Sequence, residues 1–425
     1  MNYNIVMGTD NKTLNPLVQQ IYQKIYPHIF KGSKDIATEL FLAVFYDINE
    51  PPVIDLSQSV QLKKEDFQNH YTSELSEEEL FLDVQEEALI LDMLSKATFQ
   101  AYFPNINLKL KLKDTSLLNI NIKVSAKVNI QTSIEDKQNY LGASILTADL
   151  EIKDVEDYKE YIDELKKHIL PLLIHVLNKD LLDKIKLPAL TFKDVTISLP
   201  IPVVEKSFVT AYSCIGARQP DTYAPLNWPV ETVFAGVDST AIETMAAIPF
   251  PLKKENEFSW KIISGHVLAQ VFNPRSFVIQ SDGSIEGKID TELLAQLTLK
   301  KGFFKISFGP HGKATIKATF KPVVHNGRLL LTVKNLNIPK LDIDFGIAKW
   351  AEYLLKPLSY GLSLALNEIF LPLVSAILRQ VEIPIMYFPT ISFEIKGMTF
   401  NIDITEAKTS KLDKLLLISG IPSVG

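Results

Sequence analysis

The feature that most limits what this chain can become is a unit that occurs twice: a long apolar helix, a proline stop, then a strand. In the first copy Leu165, Ile169, Leu172, Leu173, Val176, Leu177 and Leu181 recur at helical spacing and give one broad apolar face. After Leu187-Pro188 the rhythm becomes mostly two-residue, with Phe192, Val195, Ile197 and Leu199 standing among Thr191, Lys193, Asp194, Thr196 and Ser198. In the second copy Leu362, Leu366, Ile369, Phe370, Leu373, Ile377 and Val381 form the helix face, and Pro384 and Pro389 follow. Then come Ile391, Phe393, Ile395, Met398, Phe400, Ile402 and Ile404. The breaks also match locally: Leu187-Pro188-Ala189-Leu190-Thr191-Phe192 beside Phe388-Pro389-Thr390-Ile391-Ser392-Phe393.

Each helix is preceded by strands with one apolar and one polar face. Ile106, Leu108, Leu110 and Leu112 alternate with Asn107, Lys109, Lys111 and Lys113; after a turn at Asp114-Thr115-Ser116, Ile120, Ile122, Val124, Ala126, Val128 and Ile130 do the same. This is an antiparallel meander. Its second strand spans about 40 Å at ~3.4 Å per residue, long enough to imply a twisted or curled sheet. A sheet with one apolar face must cover it, and the long helix is the available cover. Two arrangements satisfy this. Either the helix fills the curl, or the walls leave a dry slot that suits an acyl chain, held by roughly 0.8 kcal/mol per methylene. If a slot exists, its apolar wall is expected at Leu173, Val176, Leu177 and Ile185 in the first half, and at Leu362, Leu366, Leu373 and Ile377 in the second.

Taken in order, the chain predicts a helix begun at Thr13 or Asn15, with Pro16 in its first turn and Leu17, Val18, Ile21, Tyr22, Ile25 and Ile29 on its apolar face. An extended run over Ala37–Asp47 follows. Lys63–Glu79 is polar and acidic, a solvated loop or short surface helices; Leu80–Leu94 is apolar with no assignable period. The first long helix is expected over Val155–Lys186. Prolines crowd the stretch from Pro200 to Pro251, which marks a junction. Beyond it, Ile262–Phe272 reads as a helix. Strands follow over Leu293–Leu299, Phe303–Phe308, Lys313–Phe320, Arg328–Val333 and Leu341–Ile347, and the second long helix over Lys349–Val381. The division predicted is an N-terminal module over 1–210, a junction over 211–257 and a C-terminal module over 258–425. The fold class is α+β: two modules, each a long helix wrapped by a highly curved antiparallel β-sheet.

The net charge of −6 supplies no basic footprint for nucleic acid. A single cysteine, Cys214, excludes an intramolecular disulfide framework and any multi-cysteine metal site. Met1–Asp10 has no basic region followed by an apolar core, so a cytoplasmic protein, or one secreted without a Sec-type signal peptide, is expected. Leu358–Leu378 is nearest to a membrane span, but Asn367 and Glu368 at its centre and Pro372 speak for a buried helix and against a transmembrane chain. The sequence holds neither a Gly-x-Ser-x-Gly elbow nor a phosphate-binding glycine loop. His168 and His175 share a helix face at a spacing unlike the i, i+4 of metal pairs. Asp342 and Asp344 share a strand face, where solvated carboxylates are the plainer reading than a cation or acid–base site. Lys109, Lys111, Lys113, Lys123 and Lys127 line a wet face that either solubilises the sheet or meets anionic head groups. Trp228, Trp260 and Trp350 read as core or interface residues. No cofactor, metal or catalytic residue is expected.

The helix, proline and strand unit resembles the tubular lipid-binding (TULIP) superfamily, which includes the bactericidal/permeability-increasing protein. Gly8-Thr9-Asp10 through Leu14-Asn15, running on to Ile29, is similar to how such modules open. Phe258-Ser259-Trp260-Lys261-Ile262-Ile263-Ser264-Gly265, followed by Val267-Leu268, resembles the bacterial members, the OrfX-type accessory proteins of clostridial neurotoxin clusters. The resemblance implies non-catalytic binding of a lipid or fatty acyl ligand, a protein partner in a toxin or secretion complex, and transient membrane contact. A protein–protein scaffold with filled modules stands beside it as the alternative. A hydrolase is the weakest reading, since it needs a cleft holding a nucleophile and a base.

Overall fold

A computed structural model describes residues 2–36, 38–57, 60–63, 84–114, 116–136, 138–152, 161–180, 185–186, 195–220, 226–301, 303–325, 328–345, 349–387, 391–395 and 398–425. The strands form three sheets, and every strand pairing among these residues is antiparallel. Among these residues the helices are α1 (Asn11–Ile25), α2 (Val84–Lys96), α3 (Leu170–Asp180), α4 (Ser239–Ala246) and α5 (Lys349–Arg379). A short α turn, Ile162–Glu164, and a π-helical stretch, Leu165–Ile169, run directly into α3. Pro171 lacks an N–H and crowds the turn before it, and that turn is the widened one.

The first sheet has seven strands. Lys31–Asp35, Phe41–Ile48, Thr98–Leu112, Leu117–Glu135, Gln138–Ile152 and Ile185–Lys186 pair in that order, and Val53–Asp55 joins Thr98–Leu112. The expected alternation is realised: Ile106, Leu108, Leu110, Ile120, Ile122, Val124, Ala126 and Val128 are buried, and Lys109, Lys111 and Lys123 face outward. Leu165, Ile169, Leu173 and Leu177 cover this inner face. The second sheet has eight strands, among them Ile263–Ile279, Ile285–Lys301, His311–His325 and Arg328–Asn337. Here α5 closes the inner face through Leu362, Leu366, Phe370, Val374 and Leu378. Extra residues interrupt the ladders after Val271, Arg275 and Thr319, and such bulges sharpen the bend of long strands.

Between them lies a third, central sheet of seven strands. Its order is Ile391–Ile395, Met398–Leu412, Leu415–Val424, Val233–Asp238, Ile5–Asp10, Phe208–Ser213 and Ile201–Glu205. The chain's beginning, middle and end therefore meet in one sheet. At its centre Ile5–Asp10 and Val233–Asp238 run antiparallel, from Ile5 opposite Val237 to Thr9 opposite Val233. Each strand ends in Gly-x-Asp and leads directly into a helix. Asp10 accepts from the Thr13 N–H at 2.9 Å and caps α1; Asp238 accepts from the Ala241 N–H at 2.8 Å and caps α4. Each carboxylate also reaches across to the segment that leads into the other strand. Asp10 accepts from the Glu231 N–H at 2.9 Å, and Asp238 from the Asn4 side-chain amide at 2.9 Å.

Three sequence expectations are corrected. Ile262–Phe272 lies largely in the strand Ile263–Ile279 and not in a helix: Val267, Ala269 and Val271 are buried while His266 is exposed, a period of two. Its apolar-rich polar face hid that period. The first helix starts at Asn11 with Asp10 as its cap, which places Pro16 inside it. Ile185 and Lys186 belong to a strand paired with Leu141 and Tyr140 and not to the long helix. The acidic stretch beyond Lys63, the Leu187-Pro188 break with the expected strand as far as residue 194, and the Phe388-Pro389-Thr390 break lie outside the described residues; of the part of that strand from Val195 to Leu199, Ile197 makes an isolated antiparallel bridge to Ile215.

Candidate functional site

The two long helices are the elements on which a ligand site was expected. Viewed down α3 and the turns before it, Leu165, Ile169, Leu173 and Leu177 recur every four residues and are buried. Pro171, His175 and Lys179 face solvent. On the flanks Leu172, Ile174 and Val176 are half-buried and rest against the same core. On α5 Leu358 and Ile369 stand on one flank and Leu371 on the other, all half-buried against the second core.

Among the residues expected to line a slot, Leu173 and Leu177 lie in the core under the first sheet, and Leu362, Leu366, Leu373 and Ile377 in the core under the second. Val176 stands at the margin. Ile185 is held by its backbone in the short strand opposite Leu141. These residues therefore divide between the two sheets, four to each, and do not come together in one core.

An asparagine sets the height of each helix. The Asn178 side chain accepts from the Ile145 N–H at 2.7 Å and donates to the Ile145 carbonyl at 3.2 Å. Asn367, buried at the middle of α5, accepts from the Leu341 N–H at 2.7 Å and donates to the Leu341 carbonyl at 3.3 Å. It also donates to Ser363 O at 2.9 Å. Sequence reasoning missed this pair, although Val176-Leu177-Asn178 and Ala365-Leu366-Asn367 are visible as a repeat. In the sequence alone Asn367 reads only as a cost to membrane insertion. Leu358–Arg379 is long and apolar enough to cross a membrane, and 50% of its most apolar window is buried inside the protein.

Polar chemistry lies apart from these walls. A cleft of about 110 Å³ where the second sheet meets Thr409 is lined by Asp282, Ser284, Lys321, Pro322 and Lys334. Hydrogen bonds from the Ser284 hydroxyl and N–H, at 2.6 and 2.9 Å, hold the Asp282 carboxyl below its ordinary range. His168 sits 3.3 Å from Glu164, and His175 is exposed. Asp342 and Asp344 are exposed, the latter 3.7 Å from His311. Cys214 is buried, its thiol 3.1 Å from the Asn2 carbonyl. Among the described residues no group of three or more His, Cys, Asp or Glu is placed to hold a metal ion. Trp228 is buried and stacks on Phe234 with ring centres 4.9 Å apart. Burial pushes Tyr22 up to about 12, its hydroxyl donating to the Ile48 carbonyl at 2.9 Å.

No family model matches this sequence, and no curated protein does. Among solved structures the chain is similar to the crystal structure of P47 of Clostridium botulinum E1, with a TM-score of 0.44 and 8% identity over 99% of both chains. It is also similar to the crystal structure of lipopolysaccharide binding protein, with a TM-score of 0.34 and 10% identity over 100% of this chain and 99% of that one.

Proposed function

We propose that the protein binds a lipid or another elongated apolar ligand without catalysis, using two modules over 1–210 and 258–425 about a junction at 211–257. The observation that carries this reading is the flank of α3 that bears Leu172 and Val176, one turn apart. Both stay half-buried against the core under the first sheet, while Leu165, Ile169, Leu173 and Leu177 beside them are buried. An acyl chain laid on that flank gains about 0.8 kcal/mol for each methylene it removes from water. Leu173, Val176, Leu177 and Ile185 serve as the first wall, and Leu362, Leu366, Leu373 and Ile377 as the second.

Native mass spectrometry with extraction of the bound material tests this. Near-stoichiometric phospholipid or fatty acid is expected, and it is lost in Val176→Trp, which fills the flank, at unchanged Tm. A clean apo mass with no uptake from liposomes overturns the reading. A scaffold for a toxin or secretion partner is the second reading, favoured by Leu40, Leu42, Phe45 and Leu117, all exposed at one end of the first sheet.

A further inference from the structure

Among the described residues, the second sheet has one end anchored to the central sheet and one end free of such an anchor. At the anchored end the Lys411 amine, from the central sheet, donates to the Ile279 carbonyl at 2.8 Å. At the opposite end of the same strands, two hairpin turns lie side by side. One joins Leu252–Trp260 to Ile263–Ile279, the other joins Ile285–Lys301 to Phe304–Phe308, and the Lys300 N–H donates to the Ile262 carbonyl at 2.9 Å between them.

These turns carry side chains that ordinary hairpins do not. Phe303 is fully solvent-exposed at 107% of its reference area, and Ile262 is 42% exposed. The Trp260 ring lies against α5 at Gly361, where an added Cβ would come within 2.9 Å of it. Next to that contact α5 exposes Tyr360, at 77%, and Leu364 one turn on. Single exposed apolar residues are common on any protein, but several gathered at one extremity mark an interaction surface. Within the two hairpin segments the charge has one sign. Lys261 lies in the first turn, Lys300, Lys301 and Lys305 stand in the strand ends beside the second, and there is no Asp or Glu from Phe258 to Gly265 or from Leu297 to Phe308. Lys261 stands over the Trp260 ring at 4.5 Å and is held in a left-handed turn conformation, φ 54°.

We propose that this free end docks on a bilayer bearing anionic head groups. Phe303 and Ile262 enter the boundary between head groups and acyl chains, and Lys261, Lys300 and Lys305 take the anionic groups. An aromatic ring flanked by lysines suits that boundary, where the apolar side chain leaves water and the amines stay solvated. Against the chain's overall charge of −6 this end is locally basic, which favours an oriented approach. The inference goes beyond ligand carriage and does not depend on it: the vesicle assay reads the tip, whereas native mass reads the interior, so either can fail alone.

The test is sedimentation of the full chain with vesicles of phosphatidylcholine alone and of an equal mixture with phosphatidylserine. Binding to the mixture and not to phosphatidylcholine is expected, weakening as salt rises. Replacing Lys261, Lys300 and Lys305 together by Gln lowers affinity on the order of a hundredfold, at about fivefold for each lysine. The pair Phe303→Ser and Ile262→Ser lowers it about tenfold. Both substituted residues are exposed, and an unchanged Tm checks that the fold is kept. The proposal is overturned if the wild-type chain ignores the mixed vesicles, if it binds phosphatidylcholine equally, or if the Ser pair leaves binding unchanged. It is also overturned if the Ser pair instead dissolves a dimer seen without vesicles, which makes this end a contact between copies of the chain.

Discussion

Asn178 on α3 and Asn367 on α5 hold their helices to their sheets in the same way, each amide bonding both the N–H and the carbonyl of one sheet-side residue, Ile145 or Leu341. Ile145 adjoins the bulge at which Gln138–Ile152 slips register against Leu117–Glu135. Leu341 directly precedes the short strand Asp342–Asp344. In both halves the amide satisfies backbone groups that the sheet ladder leaves over.

Removing these amides has unequal consequences. Asn367→Leu strands buried backbone groups and is expected to cost about 1–3 kcal/mol. Asn178 is half-buried, so water replaces part of what Asn178→Leu removes, and the cost stays near 1 kcal/mol. Urea unfolding of both variants measures this; equal costs contradict the buried clamp.

Asp10 and Asp238 differ in the same graded way. Asp10 accepts from the Thr13 N–H and hydroxyl and from the Glu231 N–H, and it is 2% exposed. Asp10→Ala removes a cap and a cross-strand bond from the buried centre of the molecule, a loss of about 2 kcal/mol. Asp238→Ala loses the cap of a shorter helix and the Asn4 contact, about 1 kcal/mol. Thermal unfolding of the two variants in parallel gives the order.

Stability also carries a pH signature from Asp238. Burial raises its carboxyl above the ordinary 3.8, against the hydrogen bonds from Ala241 and Asn4 that lower it. The folded state therefore binds the proton more tightly than the unfolded state. The contribution is fully present below the ordinary carboxylate value and is lost as pH rises through the raised folded value. Asp238→Asn keeps an acceptor for the helix cap and removes this titration. The difference between wild type and variant in urea midpoint should shift in that acidic window and be flat at neutral pH. A difference that is flat across the window as well sinks the assignment.

Gly265 marks where two strands approach too closely for a side chain. It pairs with Phe258 on one side and Leu297 on the other, and an added Cβ would overlap the Gln296 carbonyl oxygen. Gly265→Ala must displace a neighbouring strand and is expected to destabilise by about 1–3 kcal/mol. Gly309, whose nearest neighbour to an added Cβ is the Ala295 carbonyl oxygen at 3.5 Å, tolerates the same change. Comparing Tm for the two alanine variants separates close approach between strands from the effect of alanine at an uncrowded connection beside the same sheet.

What could be read from the sequence was local. The apolar faces of α3 and α5 and the alternation of Ile106–Leu112 and Ile120–Ile130 follow from periods of 3.6 and 2, which a short window contains whole. They were enough to give the helix-and-curved-sheet pairing and its repetition. Ile263–Ile279 escapes a local reading because Leu268 and Phe272 fall on the strand's outer face and blur the alternation. The candidate wall residues were found as apolar helix positions, but the period does not distinguish residues the core buries, such as Leu366, from those it leaves at a margin, such as Val176.

The sequence by itself determined which residues turn inward, because the side-chain direction along a helix or strand repeats within a few residues. Only the tertiary structure decided which strands meet. Ile5–Asp10, Val233–Asp238 and Leu415–Val424 are neighbours in one sheet although hundreds of residues separate them along the chain. Their pairing rests on backbone hydrogen bonds that any residues but proline make alike, and on Gly8 and Gly236 letting Phe234, Val6 and Leu417 close over them. The same is true of the free end: Ile262, Phe303 and Tyr360 are ordinary residues in the sequence, and the fold makes them neighbours by ending two hairpins and a helix face in the same place.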